Sequence, residues 1–158
     1  MIISRRFIPS LFTILNAFCG FYSVVSSSNG EFHTAALFIF YASLFDMFDG
    51  IVARILKSSS EFGVELDSLS DVISFGVAPS FLLYSIYFKN FEATGIAIAS
   101  MMMAFAAIRL ARFNVELVGF EKNKFYGVPT PLAALTIVTY ILFFHNTIFP
   151  QEVSEKTI

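Results

Sequence analysis

Charged residues are scarce in this chain. They make up 14% of its 158 positions, whereas roughly 25% is usual in soluble domains. Hydrophobic residues account for 56% of the sequence, and the mean hydropathy is +0.73. This balance makes a membrane protein the first hypothesis. The length suits one domain of about five or six membrane spans, not two domains.

Three further features of the composition narrow the class of protein. The single cysteine, Cys19, lies in an apolar run and excludes an internal disulfide framework. A net charge of −2 argues against a general nucleic-acid binder. Tryptophan is absent, whereas phenylalanine occurs 21 times. In a chain of this class we interpret the phenylalanines as lipid-facing and core residues, not as a surface for stacking bases.

Five apolar runs of about 20 residues or slightly more occupy most of the chain. A helix of that length crosses a hydrocarbon core of about 30 Å. Backbone in lipid must satisfy its own hydrogen bonds, which a helix does. We therefore predict an all-α, polytopic transmembrane helix bundle forming one domain, residues 1–158. The predicted spans are 7–26, 33–56, 63–88, 93–114 and 128–149.

The distribution of basic residues predicts the orientation in the membrane. With the N-terminus in the cytoplasm, only Lys89 and Lys156 fall on the opposite side. The basic residues on or near the cytoplasmic side are Arg5, Arg6, Arg54, Lys57, Arg109, Arg112, Lys122 and Lys124. Eight against two predicts a multi-pass protein with a cytoplasmic N-terminus.

Four aspartates fall within or beside the predicted spans, where a carboxylate costs several kcal/mol. Asp46 and Asp49 are spaced i, i+3 near the end of the second span. Asp67 and Asp71 are spaced i, i+4 near the start of the third. If the two helices fold back on each other, four acids converge, and they cannot all stay ionised without a cation among them. Mg²⁺ or Mn²⁺ is the natural occupant of such an oxygen-rich site.

Acids and a divalent cation at a membrane surface suit phosphate chemistry. The cation neutralises a diphosphate, and a spare carboxylate can accept a proton from an attacking hydroxyl. Gly50 and Gly63 leave room where helices or a phosphate approach, and Arg54 can donate to a phosphate oxygen. Two other interpretations stay open: a structural ion network with Arg54, Arg109 and Arg112, and a divalent-cation carrier or channel lined by the same acids.

From Asp46 to Asp71 the sequence reads D-x2-D-G-x2-A-R-x8-G-x3-D-x3-D, with eight fixed residues over 26 positions. This spacing resembles the signature of the CDP-alcohol phosphatidyltransferases and matches it at all eight positions. The stretches 9–20, 70–79, 109–114 and 125–131 resemble the phosphatidylserine synthases of that family. The resemblance covers most of the chain, about residues 5–149.

The resemblance implies a role for each motif residue. Asp71 would act as the general base that takes the proton from the acceptor alcohol. The ligands of a centre of two Mg²⁺ or Mn²⁺ ions would be Asp46, Asp49, Asp67 and Asp71. The residues that hold the cytidine diphosphate part of the donor would be Gly50, Ala53, Arg54 and Gly63.

The implied reaction is transfer of a phosphatidyl group from CDP-diacylglycerol to the hydroxyl of L-serine, with release of CMP. Serine's carboxylate needs a cation, for which Arg109 and Arg112 are the candidates. Asn114 is a further candidate, equally suited to capping a helix end. A different acceptor, glycerol 3-phosphate or an inositol phosphate, is the alternative. Direct displacement is favoured because no Ser, Cys or His has a paired base beside it in the sequence.

Two features of the family bear on the architecture. Its members usually have six or more core helices, whereas five are predicted here, so the domain is expected to be C-terminally short or to continue beyond residue 158. Its members are commonly homodimers. Residues 95–107, rich in Ala, Gly and Met, suit a dimer contact as well as packing within one molecule. Membrane lipid is the other expected partner, and nucleic acid is not.

Overall fold

The computed structural model describes residues 7–56, 60–118 and 129–145, and this part of the chain contains helices and no strand. The α-helices are α1 Phe7–Ser28, α2 Phe32–Leu56, α3 Glu61–Asp71, α4 Ala78–Leu83, α5 Glu92–Val118 and α6 Thr130–Tyr140. The all-α prediction is therefore confirmed. Each predicted span coincides with a helical stretch, the fifth over residues 130–145.

The third span is helical without a break over residues 61–88, but its hydrogen bonding changes along the way. Wider π-helical turns, Val72–Val77 and Tyr84–Phe88, flank α4. In the first, the Ala78 N–H bonds to the carbonyl of Ile73. Pro79 follows at the start of α4 and has no N–H to donate, so an ordinary helical bond is missing at that point. This irregular turn begins directly after the last residue of the aspartate motif.

Helices α1 and α2 form an antiparallel hairpin. Gly30 closes the turn between them with φ +81°, a backbone conformation that glycine adopts without steric strain. Near the turn, the rings of Tyr22 and Phe38 stack at 4.0 Å. Near the open end, Thr13 contacts Asp49. The hairpin thus carries the first two aspartates of the motif to the end opposite the turn.

A second antiparallel hairpin joins the third span to α5. A short 3₁₀ turn, Lys89–Phe91, reverses the chain. Gly76 then faces Met103, and Ser68 bonds to Asn114 farther from the turn. Asn16 of α1 lies beside Asp71, and Gly20 lies beside Ser74, so α1 and the third span run in parallel. All four aspartates therefore lie at one end of the bundle.

Within the described residues, three stretches are long and apolar enough to cross a membrane: Pro9–Ser28, Phe32–Leu56 and Glu61–Val115. The last has 55 residues and comprises both arms of the second hairpin. Thr130–Phe143 is a shorter apolar helix. These findings confirm the polytopic helix bundle.

The core lies where α1, α2, the third span and α6 meet. Ile39, Phe75, Leu82 and Val138 are fully buried there. Buried alanines of α2, at positions 35, 36 and 42, let the neighbouring helices approach closely, as in other membrane bundles. A Cβ atom on Gly20 would lie 2.8 Å from the Cα of Ser74, so the backbones of α1 and the third span almost touch.

Candidate active site

The structure brings the four aspartates of the motif together. Carboxylate oxygens of Asp46, Asp49 and Asp67 lie within 4.8 Å of one another. The carboxyl group of Asp71 adjoins that of Asp46. Asp46 and Asp49 come from the last three turns of α2, and Asp67 and Asp71 from α3. The convergence predicted from helical spacing therefore occurs between the described ends of these two helices.

The chemistry of this cluster fits a hard divalent cation. All its donors are carboxylate oxygens, the ligands that Mg²⁺ and Mn²⁺ prefer. Asp49 and Asp71 are only 6% and 7% exposed. The Oδ1 atom of Asp67 is buried without a hydrogen-bond partner among the described residues. A buried carboxylate oxygen without a partner is unfavourable, and a bound cation would satisfy it.

Helix α1 forms the third wall of the cluster. The hydroxyl of Thr13 donates to Asp49 Oδ2 at 3.1 Å, and the Nδ2 of Asn16 donates to Asp71 Oδ1 at 3.2 Å. Both side chains are buried. Neither residue was predicted from the sequence to belong to the site. The available signal was two hydrogen-bonding side chains spaced i, i+3 within an apolar span.

An open cleft of about 110 Å³ adjoins the acids and is lined by residues of α1, α2 and α3. Of the residues expected to hold cytidine diphosphate, Gly50, Ala53 and Gly63 line the cleft. A Cβ atom on Gly50 would meet nothing closer than Arg54 Nη2 at 3.8 Å. Gly50 is therefore not needed for helix packing. The complete lining is Pro9, Ser10, Thr13, Asp49, Gly50, Ala53, Ser60, Gly63, Val64 and Asp67.

Two further details of the cleft were not anticipated. Arg54 is exposed and is not among the residues that line it; its Nε donates to the Gly50 carbonyl of the same helix at 2.9 Å. Ser60 caps the N-terminus of α3, its hydroxyl accepting from the Gly63 N–H at 3.1 Å. A serine just before the start of a helix, here three residues before Gly63, is a sequence signal for such an N-terminal cap.

A second cavity, of about 130 Å³, shares no lining residue with the first. Asp71 and Arg109 both line it, together with Thr130. Arg109 Nη1 donates to the Thr130 hydroxyl at 2.9 Å, a contact that links α5 to α6. The remaining lining residues are Leu110, Phe113, Pro129 and Pro131.

The other two acceptor candidates lie elsewhere. Arg112 is exposed and is not part of the cavity lining. Asn114 pairs with Ser68 of α3 through two hydrogen bonds, at 3.0 and 3.2 Å. Of the three candidates, Arg109 is thus the one that the structure brings next to Asp71.

Several sequence predictions fall on residues outside the described part of the chain. The basic residues concerned are Arg5, Arg6, Lys57, Lys122, Lys124 and Lys156. Of the stretch 125–131, residues 129–131 are described.

Comparison with known proteins agrees with the motif. The family model for CDP-alcohol phosphatidyltransferase matches residues 6–156. A CDP-diacylglycerol–serine O-phosphatidyltransferase of Helicobacter pylori is 38% identical over 148 residues, which are 94% of this chain and 62% of that protein. The enzyme of the same name from Bacillus subtilis is 38% identical and aligns over 90% of this chain and 79% of its own.

An archaetidylserine synthase of Methanothermobacter thermautotrophicus is 42% identical over 137 residues, covering 85% of this chain and 58% of the relative. The chain thus spans about three fifths of the length of the Helicobacter and Methanothermobacter proteins. The match of the family model extends over nearly all of this sequence and includes every residue of the aspartate motif. The chain therefore belongs to the CDP-alcohol phosphatidyltransferase family.

Proposed function

We propose that this protein transfers a phosphatidyl group from CDP-diacylglycerol to the hydroxyl of L-serine, forming phosphatidylserine and releasing CMP. The observation that carries the proposal is that aspartates of one cluster line two separate cavities. The first is also lined by Gly50, Ala53 and Gly63, and the second by Arg109 and Asp71. Transfer between two ligands needs such an arrangement, because the attacking and leaving oxygens lie on opposite sides of the phosphorus.

On the donor side, the small residues of the cleft leave space for the cytidine diphosphate. The acyl chains of the donor would remain in the bilayer beside the apolar helix surfaces. Two bound Mg²⁺ or Mn²⁺ ions, held by Asp46, Asp49, Asp67 and Asp71, would neutralise the diphosphate and stabilise charge on the leaving phosphate. The Arg54 guanidinium lies one turn beyond Gly50, within reach of a phosphate that extends past the cleft.

On the acceptor side, Asp71 would accept the proton of the serine hydroxyl. The serine oxygen forms a bond to the phosphorus that carries diacylglycerol, and the bond from this phosphorus to the oxygen of CMP breaks. Arg109, held by Thr130, would bind serine's carboxylate. Asp71 is the one residue of the aspartate motif that lines the acceptor cavity, which supports its role as base.

Two observations favour serine over a phosphorylated acceptor. The names of the relatives above specify different lipids, but each name specifies serine as the head group. The acceptor cavity is also small, at about 130 Å³, and Arg109 is the basic residue among the described residues that line it. A second phosphate would need more cationic groups than that.

The test is a head-group assay on the purified full chain with CDP-diacylglycerol. Labelled serine, glycerol 3-phosphate and inositol phosphate are supplied in parallel, with Mg²⁺, with Mn²⁺, or with excess chelator. We expect CMP release and a labelled lipid with serine only, abolished by the chelator. Asp71→Asn should abolish turnover in a protein that still elutes as a folded species. Labelled lipid from another acceptor would contradict the serine assignment, and metal transport without CMP release would support a cation carrier instead.

We also propose that the active-site end faces the cytoplasm and that the protein works as a homodimer. Basic residues at that end support the orientation.

Exposed apolar residues of α5, spaced along one face, support a dimer contact: Ile98, Met101, Phe105 and Ile108. The small residues Gly95 and Ala106 instead pack within the molecule, against Phe88 and Gly76. Disulfide cross-linking of Met101→Cys across two copies, against exposed Leu132→Cys on α6 as control, tests the contact.

A further inference from the structure

Helix α1 contacts both halves of the aspartate motif. Thr13 bonds to Asp49 from the first half, and Asn16 bonds to Asp71 from the second. Thr13 and Asn16 are three residues apart and so lie on one face of α1. Helix α1 packs against both α2 and α3, whereas direct packing between α2 and α3 is slight. The spacing between the two pairs of acids is therefore set through α1.

The burial of Asn16 is not explained by packing alone. Its side chain is completely buried, and its Oδ1 has no hydrogen-bond partner within the described ranges. A buried amide with an unmet atom is unfavourable, and a leucine of similar volume would fill the same space. The Asn16 backbone is also fixed, because its carbonyl accepts from the Ser74 hydroxyl at 2.8 Å. Asn16 thus holds a constant position relative to Asp71, three residues before Ser74.

We propose that Thr13 and Asn16 are positioning residues of the metal centre, orienting the carboxylates of Asp49 and Asp71 for cation binding. The proposal rests on the proposed function in one respect, that the acids bind a divalent cation. Hydrogen-bond partners of ligating carboxylates fix the orientation of the ligand. Their loss typically weakens metal affinity or activity about 10- to 100-fold.

The test measures Mn²⁺ binding to the purified full chain, following the electron paramagnetic resonance signal of free Mn²⁺ in a titration without substrates. Thr13→Val replaces the hydroxyl by a methyl group at nearly constant volume, and Thr13→Ser keeps the hydroxyl. Asn16→Leu removes the amide. Ser23→Ala is the matched control, because Ser23 is equally buried, lies two turns farther along the same face of α1, and has a hydroxyl that bonds to no described residue.

We expect Thr13→Val and Asn16→Leu to raise the Kd for Mn²⁺ roughly 10- to 100-fold. Thr13→Ser and Ser23→Ala should bind Mn²⁺ like the wild type. Circular dichroism and elution volume establish folding, and the two Thr13 variants decide the matter if Asn16→Leu does not fold. Wild-type affinity in Thr13→Val, or equal weakening by Thr13→Ser or Ser23→Ala, would overturn the proposal. Mn²⁺ binding that follows this pattern without CMP release would contradict the proposed reaction and support the positioning role.

Discussion

At the scale of single residues, the site consists of four clustered carboxylates. Asp49 and Asp71 are almost fully buried, and each accepts one hydrogen bond from α1. Those bonds do not offset the unfavourable burial of several like charges, whereas a bound divalent cation would. The small residues beside the acids are not explained by helix packing, because Gly50 faces an open cleft and not a neighbouring helix.

Substituting Gly50 tests this distinction. In Gly50→Ala the new methyl group meets no atom closer than 3.8 Å, so the helix accommodates it. Alanine in a helix interior is favoured over glycine by about 0.5–1 kcal/mol, and we expect the thermal unfolding temperature to stay or rise. The same methyl group projects into the donor cleft. It should lower kcat/KM for CDP-diacylglycerol roughly 10- to 100-fold. Unchanged kcat/KM in the CMP-release assay would mean that the donor does not lie against Gly50.

The arginines of α5 give a second test at this scale. Arg109 lines the cavity with Asp71, whereas Arg112 is exposed outside it. In the proposed complex, Arg109→Ala removes a charge-assisted contact with serine's carboxylate worth about 1.5–3 kcal/mol, so KM for serine should rise roughly 10- to 150-fold. Arg112→Ala should change KM for serine far less. Equal effects of both variants would indicate that the cavity beside Asp71 is not where the carboxylate binds.

At the scale of elements, two hairpins of long helices carry the site, and their turns lie at the opposite end of the bundle. The second hairpin depends on a close approach at its turn. Glu92 has φ 48°, a conformation that non-glycine residues seldom adopt, and α5 begins there. Gly95 follows within one turn, and a Cβ atom at that position would collide with the Phe88 carbonyl. The reversal of the chain therefore requires the absence of a side chain at Gly95.

We expect Gly95→Ala to destabilise the protein, because the methyl group must displace backbone and not a flexible side chain. Overpacking of this kind costs about 1–3 kcal/mol. Thermal unfolding in detergent is the measurement, and Gly50→Ala is its control, since it makes the same change in a helix where space is available. If Gly95→Ala unfolds at the wild-type temperature, the turn has room for a side chain at this position.

At the scale of the whole molecule, the hairpins run so that all four acids, Arg109 and Thr130 meet at one end. Helix α1 lies against the third span, and α6 approaches α2 and the first π-helical turn of that span. Both cavities thus lie at the same end of the bundle, and each is lined by at least one aspartate of the motif. A water-soluble acceptor and a lipid-anchored donor would then both reach the phosphate chemistry at a single membrane surface.

The orientation of that end in the membrane is open to direct measurement. Glu61→Cys places a thiol at an exposed position near the acids, and Glu31→Cys places one at the opposite end. A membrane-impermeant thiol reagent should label Glu61→Cys only in inverted vesicles and Glu31→Cys only in right-side-out vesicles. The native Cys19 is buried and provides the background. Labelling in the reverse pattern would place the active site outside the cytoplasm.

Sequence alone determined the class of structure and the identity of the acids. Long apolar runs in a chain with few charges require helices, because backbone in lipid has no other hydrogen-bond partners. Within those helices, spacing places Asp46 and Asp49 on one face, and likewise Asp67 and Asp71. These conclusions depend on local periodicity, and periodicity is visible in sequence.

The tertiary structure decided which other residues join the acids. Arg109 and Arg112 are separated by about 60° around α5, and the rotation of the helix against its neighbours puts only Arg109 beside Asp71. Arg54, although it belongs to the motif, lies outside the cleft lining. Thr13 and Asn16 became part of the site because α1 packs against both α2 and α3. Which helix lies between two others depends on the packing of the whole bundle, and the spacing within any one segment does not contain that information.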